Sequence, residues 1–210
     1  IGAKKRAGIA VPLFSLHSED SCGIGDFNDL KLLIDWCAEC GFSIIQLLPL
    51  NDIGNDFAPY SSTSTFALDP MYISFKMLSA DDFSSEIDKI RRKFKPLFGR
   101  VNYRIKQAKV NLLRKIFEKK YNDEDADFRN YVSINSYWLK DYSLFKILKQ
   151  KNKRKSWETF DNSLKHRNYD FINQMAEQNN EEILFISWMQ WMLYKQLMKI
   201  KEYAKTTEVF

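Results

Sequence analysis

Two short apolar runs separated by an amphipathic stretch predict a strand, a helix and a second strand near the N-terminus. Residues 7–11 form the first run, which stops at Pro12, and residues 43–48 form the second. Between them, apolar residues recur at helical spacing after Asp26, a plausible N-cap, and Gly41 follows as a stop signal. Such an order predicts a βαβ unit with parallel strands.

After residue 75 the pattern changes to charged, helix-permissive sequence. The spacing of apolar residues predicts one helix around 112–117, a second over 127–150 and a last helix from about 180 to 205. Residues 208–210 could begin a third strand. We expect one core-facing stripe on the last helix. Its predicted members are Ile183, Leu184, Trp188, Trp191, Met192, Lys195 and Met198.

The net charge of +5 is unevenly distributed over the 210 residues. Residues 1–75 contain four Lys/Arg and nine Asp/Glu, whereas residues 84–120 contain thirteen Lys/Arg and three Asp/Glu. A basic segment of this kind is typical of a solvated helical face, and it can also bind nucleic acid. We favour the solvated face.

Cysteine spacing and histidine placement offer two further candidate sites. Cys37 and Cys40 have the spacing of a metal or redox pair, but they fall within the predicted helix, which favours packing. Three cysteines in all argue against a disulfide framework. His17, in the loop after the first strand, could contact a ligand. No apolar run reaches the length of a membrane span or signal peptide, so a cytoplasmic location is the default expectation.

The most informative motif is a polar loop that follows the second strand. Residues 46–52 end that strand, and residues 58–72 continue with a Pro-Tyr-Ser-Ser run. A tyrosine ring can stack on a pyranose face, and neighbouring hydroxyls can exchange hydrogen bonds with sugar hydroxyls. Asp69 and Pro70 indicate a turn. The loop therefore predicts a carbohydrate site.

Several ordered motifs resemble the amylomaltase family of 4-α-glucanotransferases, glycoside hydrolase family 77. The similar segments are Gly8–Phe14, Gly23–Phe27, Gln46–Leu50, Pro59–Ser62, Trp138–Phe145, Phe185–Trp191 and Lys195–Gln196. Any one of these alone would be weak, whereas their common order through most of the chain is specific.

The resemblance implies an α/β fold, the N-terminal part of a (β/α)8 TIM barrel with a large, mostly helical insertion. Residues 1–75 would hold the first two strands, the connecting helix and the substrate loop. Residues 76–180 would form the insertion, and residues 181–210 the helix leading to the third strand. Because a closed barrel needs eight strands, the barrel is expected to be incomplete in this chain.

The resemblance also implies transfer of α-1,4-glucan segments between maltooligosaccharides by a retaining double displacement. Its catalytic carboxylates would lie on later strands, so we assign no catalytic residue, no cofactor and no metal here and expect the isolated chain to be inactive. Expected partners are α-1,4-glucans, glucose and the remainder of the same enzyme, without nucleic acid or membrane. The alternatives are a related hydrolase, an inert fragment, or a basic helical module that binds other macromolecules.

Four residues are predicted to bind substrate by this resemblance. Tyr60 matches the family tyrosine beside the cleavage point, although it could be a loop aromatic packed on the barrel rim. Ser61 and Ser62 could bind sugar or cap the backbone of the loop. Asp52 could meet a sugar hydroxyl or orient the loop. Many family members have serine where this chain has Ala58, so a hydrogen bond from that position would be absent or replaced.

Overall fold

The structure is a computed structural model that describes residues 5–54, 58–95, 101–122, 124–153 and 155–210. It divides into two compact units. The first unit contains Ile1–Lys120 and Met192–Phe210, and the second contains Tyr121–Trp191. The three functional segments expected from the sequence remain a prediction.

The βαβ unit predicted from the sequence is present in the first unit. Strand β1 covers Gly8–Val11 and strand β2 covers Ile44–Leu47. The two strands pair in parallel, with Gly8 opposite Ile44 and Val11 opposite Leu47. Their carboxyl ends therefore lie at the same edge of the sheet, where ligands of α/β folds bind.

Helix α1, Phe27–Glu39, begins at a reciprocal capping box. The Asp26 carboxylate accepts hydrogen bonds from the backbone N–H of Asn28 (2.8 Å) and of Asp29 (3.4 Å). The Asp29 carboxylate accepts in return from the backbone N–H of Asp26 at 2.9 Å. These bonds satisfy backbone donors at the helix start that would otherwise lack a partner. The N-cap predicted at Asp26 is thereby confirmed.

Phe210 makes one parallel bridge on the free side of β2. Its N–H donates to the Ser43 carbonyl oxygen at 3.0 Å, and its carbonyl oxygen accepts from the Ile45 N–H at 2.8 Å. This pair of bonds is centred on Ile44 and has the pattern of parallel strands. The start of a third strand predicted over 208–210 is supported by this bridge, although the assigned sheet has two strands.

The rest of the described chain is mostly helical. The further helices are α2 (Ser84–Lys93), α3 (Arg104–Lys120), α4 (Ala126–Ile134), α5 (Ser136–Lys151), α6 (Asn162–Lys165), α7 (Tyr169–Glu177) and α8 (Asn180–Thr206). The predicted helices around 112–117 and over 180–205 are thereby confirmed.

The prediction of a single helix over 127–150 is wrong, because the helix is interrupted at Asn135, between α4 and α5. The Asn135 side chain donates to the Tyr131 carbonyl oxygen at 2.8 Å and accepts from the Trp138 ring N–H at 2.9 Å. Asparagine competes with the helical backbone by such local bonds. The apolar spacing on both sides continues through the break, which is why the pattern indicated one helix.

The burial of α8 also differs from the predicted stripe. Every residue from Phe185 to Trp191 is buried, so this part of the helix has no exposed face. The predicted stripe residues outside that range are only half-buried. They are Ile183, Leu184, Met192, Lys195 and Met198. The one-sided interpretation therefore fails in the middle of the helix.

Two glycines with the same backbone conformation allow a matched test of packing. Gly23 and Gly41 both have φ of 78°. A Cβ on Gly23 would lie 2.2 Å from the Phe94 carbonyl oxygen, whereas one on Gly41 would meet nothing within 4 Å. We expect Gly41→Ala to lower the free energy of unfolding by about 1–2 kcal/mol through backbone strain alone. Gly23→Ala should cost about 1–3 kcal/mol more.

Urea unfolding curves of the two variants measure this difference. Equal losses of unfolding free energy would contradict the close approach of Gly23 to Phe94.

Candidate functional site

The loop after β2 is folded back on itself by backbone hydrogen bonds. We call residues 48–69 the strand-end loop, of which 48–54 and 58–69 are described. The Asp52 N–H donates to the Ala67 carbonyl oxygen and the Asp69 N–H to that of Leu50, at 2.8 and 2.9 Å. The Thr63 N–H donates to the Asp52 carbonyl oxygen at 2.8 Å. The two ends of the loop therefore lie side by side at the carboxyl end of β2.

The Pro-Tyr-Ser-Ser motif lies in a turn of this loop. The Ser61 N–H donates to the Ala58 carbonyl oxygen at 2.9 Å, and Ser62 forms an isolated bridge with Ile53. Tyr60 is 76% exposed, and both serines are exposed. The Tyr60 ring is thus not packed against the described part of the chain, which leaves its face accessible to a ligand.

Two carboxylates of the strand-end loop are buried against one lysine of α3. The Lys106 ammonium donates to Asp52 Oδ1 at 2.8 Å, to Asp69 Oδ2 at 2.6 Å and to the Ile53 carbonyl oxygen at 3.0 Å. The side chains of Asp52 and Asp69 have no exposed surface. Thr63 adds a hydroxyl bond of 3.1 Å to Asp52 Oδ2. Of the two roles considered for Asp52, this geometry favours orientation of the loop.

The buried cluster shifts the proton affinities of its members. Burial raises the pKa of Asp69, the Lys106 ammonium lowers it, and the Asp52 charge raises it further, with a net upward shift. Burial alone would lower the pKa of Lys106, but the two carboxylates outweigh it and raise that pKa above its ordinary value. Lys106 is therefore held in its charged form.

Asp69 also shapes the turn that ends the strand-end loop. It precedes a single 3₁₀ turn, Pro70–Tyr72, and its carboxylate accepts from the Met71 N–H at 2.9 Å. The other oxygen accepts from the Ile53 N–H at 3.0 Å. The turn predicted at Asp69 and Pro70 is confirmed, and the same carboxylate links the two ends of the loop.

A second lysine of α3 is buried close by. Lys109 has no exposed surface, and its ammonium donates to the Met71 carbonyl oxygen at 2.7 Å. It lies 3.9 Å from Asp26 Oδ2 and 5.6 Å from the centroid of the Phe75 ring. Burial raises the pKa of Asp26 to about 7; Lys109 opposes this shift, and the Asp29 charge adds to it.

The prediction that residues 84–120 form a solvated basic face is wrong for Lys106 and Lys109. The helical repeat contains a signal for Lys109, because it lies four residues after Ile105 and three before Leu112, both of which are buried. Lys109 thus occupies a position of the apolar face. The partners of both lysines are distant in sequence, and charge counting cannot reveal them.

The two remaining candidate sites are His17 and the pair of Cys37 and Cys40. His17 is exposed in its loop. Cys37 is buried on α1, and Cys40 is exposed at its end. The packed-helix interpretation therefore holds for Cys37, whereas Cys40 lies outside the helix and is exposed. Within the described residues, no group of three or more potential ligands could hold a metal ion.

The second unit contains a groove among its helices. It measures about 620 Å³ and is lined mainly by α4, α5, α7 and α8. Lys140 donates to the Asn173 amide oxygen at 3.0 Å in its lining. Glu177 supplies the one carboxyl group of the described lining. The described lining therefore does not contain the pair of carboxyl groups that glycosidic bond cleavage needs.

No helix of the described ranges combines the length and apolar character required to cross a membrane.

Parallel strands joined by a helical crossover, followed by an exposed tyrosine and two serines at the carboxyl edge, define an α/β protein with a candidate sugar-binding loop. A sequence profile described as 4-alpha-glucanotransferase matches residues 11–210. The chain belongs to the 4-alpha-glucanotransferase family.

Individual relatives agree with this membership. The chain is 35% identical over 210 residues to a 4-alpha-glucanotransferase of Chlamydia pneumoniae, covering 97% of this chain and 40% of the relative. It is 32% identical over 204 residues to a 4-alpha-glucanotransferase of Aquifex aeolicus, covering 95% and 40% respectively. The chain thus spans 40% of the length of each of these relatives.

Solved structures share the fold. The amylomaltase from Streptococcus agalactiae in complex with acarbose matches with a TM-score of 0.85 at 23% identity, covering 98% of this chain and 42% of that one. The amylomaltase from Corynebacterium glutamicum matches with a TM-score of 0.74 at 22% identity, covering 96% and 29%. The predicted family resemblance and the α/β, mostly helical fold are confirmed.

The raised pKa of Asp26 predicts a pH-dependent stability. The native state keeps the proton up to about pH 7, whereas the unfolded chain releases it near 3.8, so wild-type stability falls as pH rises between these values. The Asp26→Asn variant has no such proton to release but keeps an acceptor for the cap. Relative to this variant, the wild type should lose about 2–3 kcal/mol of unfolding free energy between about pH 5 and pH 8.

Urea unfolding at several pH values measures this loss. Asp88→Asn, an exposed change on α2, is the control and should give a constant difference from wild type. A constant difference for Asp26→Asn as well would disprove the raised pKa.

Proposed function

We propose that this chain is the N-terminal portion of a 4-α-glucanotransferase that transfers α-1,4-glucan segments between maltooligosaccharides by retaining double displacement. The observation that carries the proposal is the strand-end loop, which presents an exposed Tyr60 beside two exposed serines after β2. Ligand-binding loops of barrel enzymes occupy this position. Membership of the family supplies the reaction.

In this proposal Tyr60 stacks on a sugar ring, and Ser61 and Ser62 exchange hydrogen bonds with sugar hydroxyls. Asp52 contributes indirectly, by fixing the backbone from which the loop extends. The amylomaltase of Streptococcus agalactiae was solved with acarbose bound, and its fold matches nearly the whole chain. This match supports an oligosaccharide as the ligand of the loop.

The catalytic carboxylates are expected outside this chain. Retaining transfer needs a nucleophilic carboxylate and a second carboxyl group that exchanges a proton with the leaving and accepting sugars. Asp52 and Asp69 are the paired carboxylates of the described site, but both are buried and bound to Lys106. A carboxylate without exposed surface cannot reach an anomeric carbon, so neither residue receives a catalytic role.

The proposed architecture places residues 1–75 and 181–210 in the early part of a (β/α)8 barrel and residues 76–180 in a helical insertion. The remainder of the enzyme would complete the barrel and supply the catalytic residues. The parallel bridge of Phe210 next to β2 supports a third strand in this position. Acceptors would be glucans and glucose, no cofactor is needed for this chemistry, and a cytoplasmic location stays a prediction.

Binding of nucleic acid by the basic segment is not favoured. Two of the cations counted between residues 84 and 120, Lys106 and Lys109, are engaged in ion pairs or hydrogen bonds with the protein itself. Phosphate-driven binding would fall steeply as salt concentration rises, whereas sugar binding would change little. A salt titration therefore separates the two functions.

Replacing Tyr60 tests the sugar-binding loop. In the protein at its natural length, Tyr60→Ala should raise KM for maltotriose about three- to tenfold, because a stacking contact is lost. Tyr60→Phe keeps the ring and should retain most of the affinity. Tyr169→Ala removes another exposed tyrosine, on α7 of the second unit, and serves as the matched control.

The assay follows glucose and longer oligosaccharides formed from maltotriose. Wild-type protein that forms neither product would refute the transferase assignment. An unchanged KM in Tyr60→Ala would refute the role of the loop and leave the assignment standing.

A further inference from the structure

The ends of the strand-end loop converge on one ammonium group. A lysine has three N–H donors, and Lys106 directs them to Asp52, Ile53 and Asp69 at 2.6–3.0 Å. Asp52 and Ile53 precede the Pro-Tyr-Ser-Ser motif, whereas Asp69 follows it. All three donors therefore bind to the two ends of the loop that carries Tyr60.

We propose that Lys106 is a positioning residue for substrate binding. It holds the two ends of the strand-end loop together and thereby fixes the location of Tyr60. The inference rests on the proposed function, because it gives the sugar-binding loop its support. It also gives α3, which lies in the segment predicted to be an insertion, a role in supporting the strand-end loop. Lys106 itself touches no substrate.

The charges explain why a lysine is needed at this point. Asp52 and Asp69 have no exposed surface, and Lys106 is 16% exposed, so water screens the cluster little. Without the ammonium, two buried carboxylates would face each other without a compensating cation. Such a pair is relieved by uptake of a proton or by entry of water, and neither change restores the link that the ammonium makes between the loop ends.

Direct hydrogen bonds between the loop ends remain when Lys106 is removed, which predicts loosening and not collapse. Asp69 still accepts from the Ile53 N–H, and the backbone bond from Asp69 to Leu50 is independent of the lysine. We therefore expect the segment carrying Tyr60 to sample more conformations while β1, β2 and α1 keep their structure.

Lys109 provides a matched control on the same helix. It is fully buried, lies three residues further along α3 and donates to a backbone carbonyl, that of Met71. Met71 follows the strand-end loop. The carboxylate that lies near the Lys109 ammonium belongs to Asp26, at the start of α1. Loss of this ammonium should destabilise the protein without releasing the loop ends.

Amide hydrogen exchange measures the loop directly and needs no sugar. In Lys106→Met, exchange of peptides from residues 58–69 should accelerate about tenfold or more, because local opening becomes easier. Peptides from α1 should exchange as in wild type. Lys109→Met should leave residues 58–69 unchanged relative to wild type. Equal exchange of residues 58–69 in Lys106→Met and wild type would overturn the proposal.

Kinetics then test whether Lys106 acts through Tyr60. In the protein at its natural length, Lys106→Met should raise KM for maltotriose about threefold or more with a smaller change in kcat, whereas Lys109→Met should change neither. Adding Lys106→Met to Tyr60→Ala should raise KM little beyond Tyr60→Ala alone, because the contact to be positioned is already gone. Multiplicative effects of the two changes would contradict positioning through Tyr60.

A charge-matched variant covers the case in which Lys106→Met does not fold. Lys106→Met combined with Asp69→Asn removes one charge of each sign, keeps the net charge of the cluster and still removes the ammonium link between the loop ends. The same exchange and kinetic results are expected from it. Should Tyr60→Ala leave KM unchanged, the sugar-binding role of the loop fails while the transferase assignment stands, and hydrogen exchange still decides whether Lys106 holds the loop.

Discussion

The first unit depends on the pairing of two ammonium groups of α3, one buried and one largely enclosed, with oxygen acceptors on segments distant in sequence. An unpaired buried charge costs several kcal/mol, so Lys106 and Lys109 can enter the interior only with partners in place. Lys106 meets the strand-end loop, and Lys109 meets the Met71 carbonyl oxygen near the cap of α1. Because the two lysines are three residues apart on one helix face, α3 fixes both loops in a single register.

This pairing separates structural from functional groups at the carboxyl edge of the sheet. The carboxylates nearest to the candidate site, Asp52 and Asp69, are used internally, whereas Tyr60 and its neighbouring serines remain exposed. A rigid base with an exposed aromatic tip suits recognition of a sugar, since little ordering of the loop is then required on binding. In the proposed function, the chemistry of transfer belongs to the part of the enzyme that completes the barrel.

Local signals make part of this structure predictable from the sequence. Asp26 and Asp29 stand three residues apart before an apolar repeat, and the apolar runs on either side of α1 have the length of buried strands. The break at Asn135 escapes prediction because its cause is a side-chain bond within an otherwise continuous apolar pattern. Lys106 escapes it for a different reason: its carboxylate partners lie 54 and 37 positions earlier, and nothing in the sequence links them. Tyr60 is singled out by its motif, and the structure places it at an exposed position.

Burial and hydrogen bonding of the two ammonium groups of α3 can be measured directly in the folded protein. Nitrogen-15 NMR of lysine side chains does so, because exposed ammonium protons exchange rapidly with water near neutral pH, whereas enclosed and hydrogen-bonded ones exchange slowly. We predict two slowly exchanging ammonium signals, one lost in Lys106→Met and the other in Lys109→Met. Ammonium signals of Lys106 and Lys109 that exchange as fast as those of surface lysines would contradict the buried pairing.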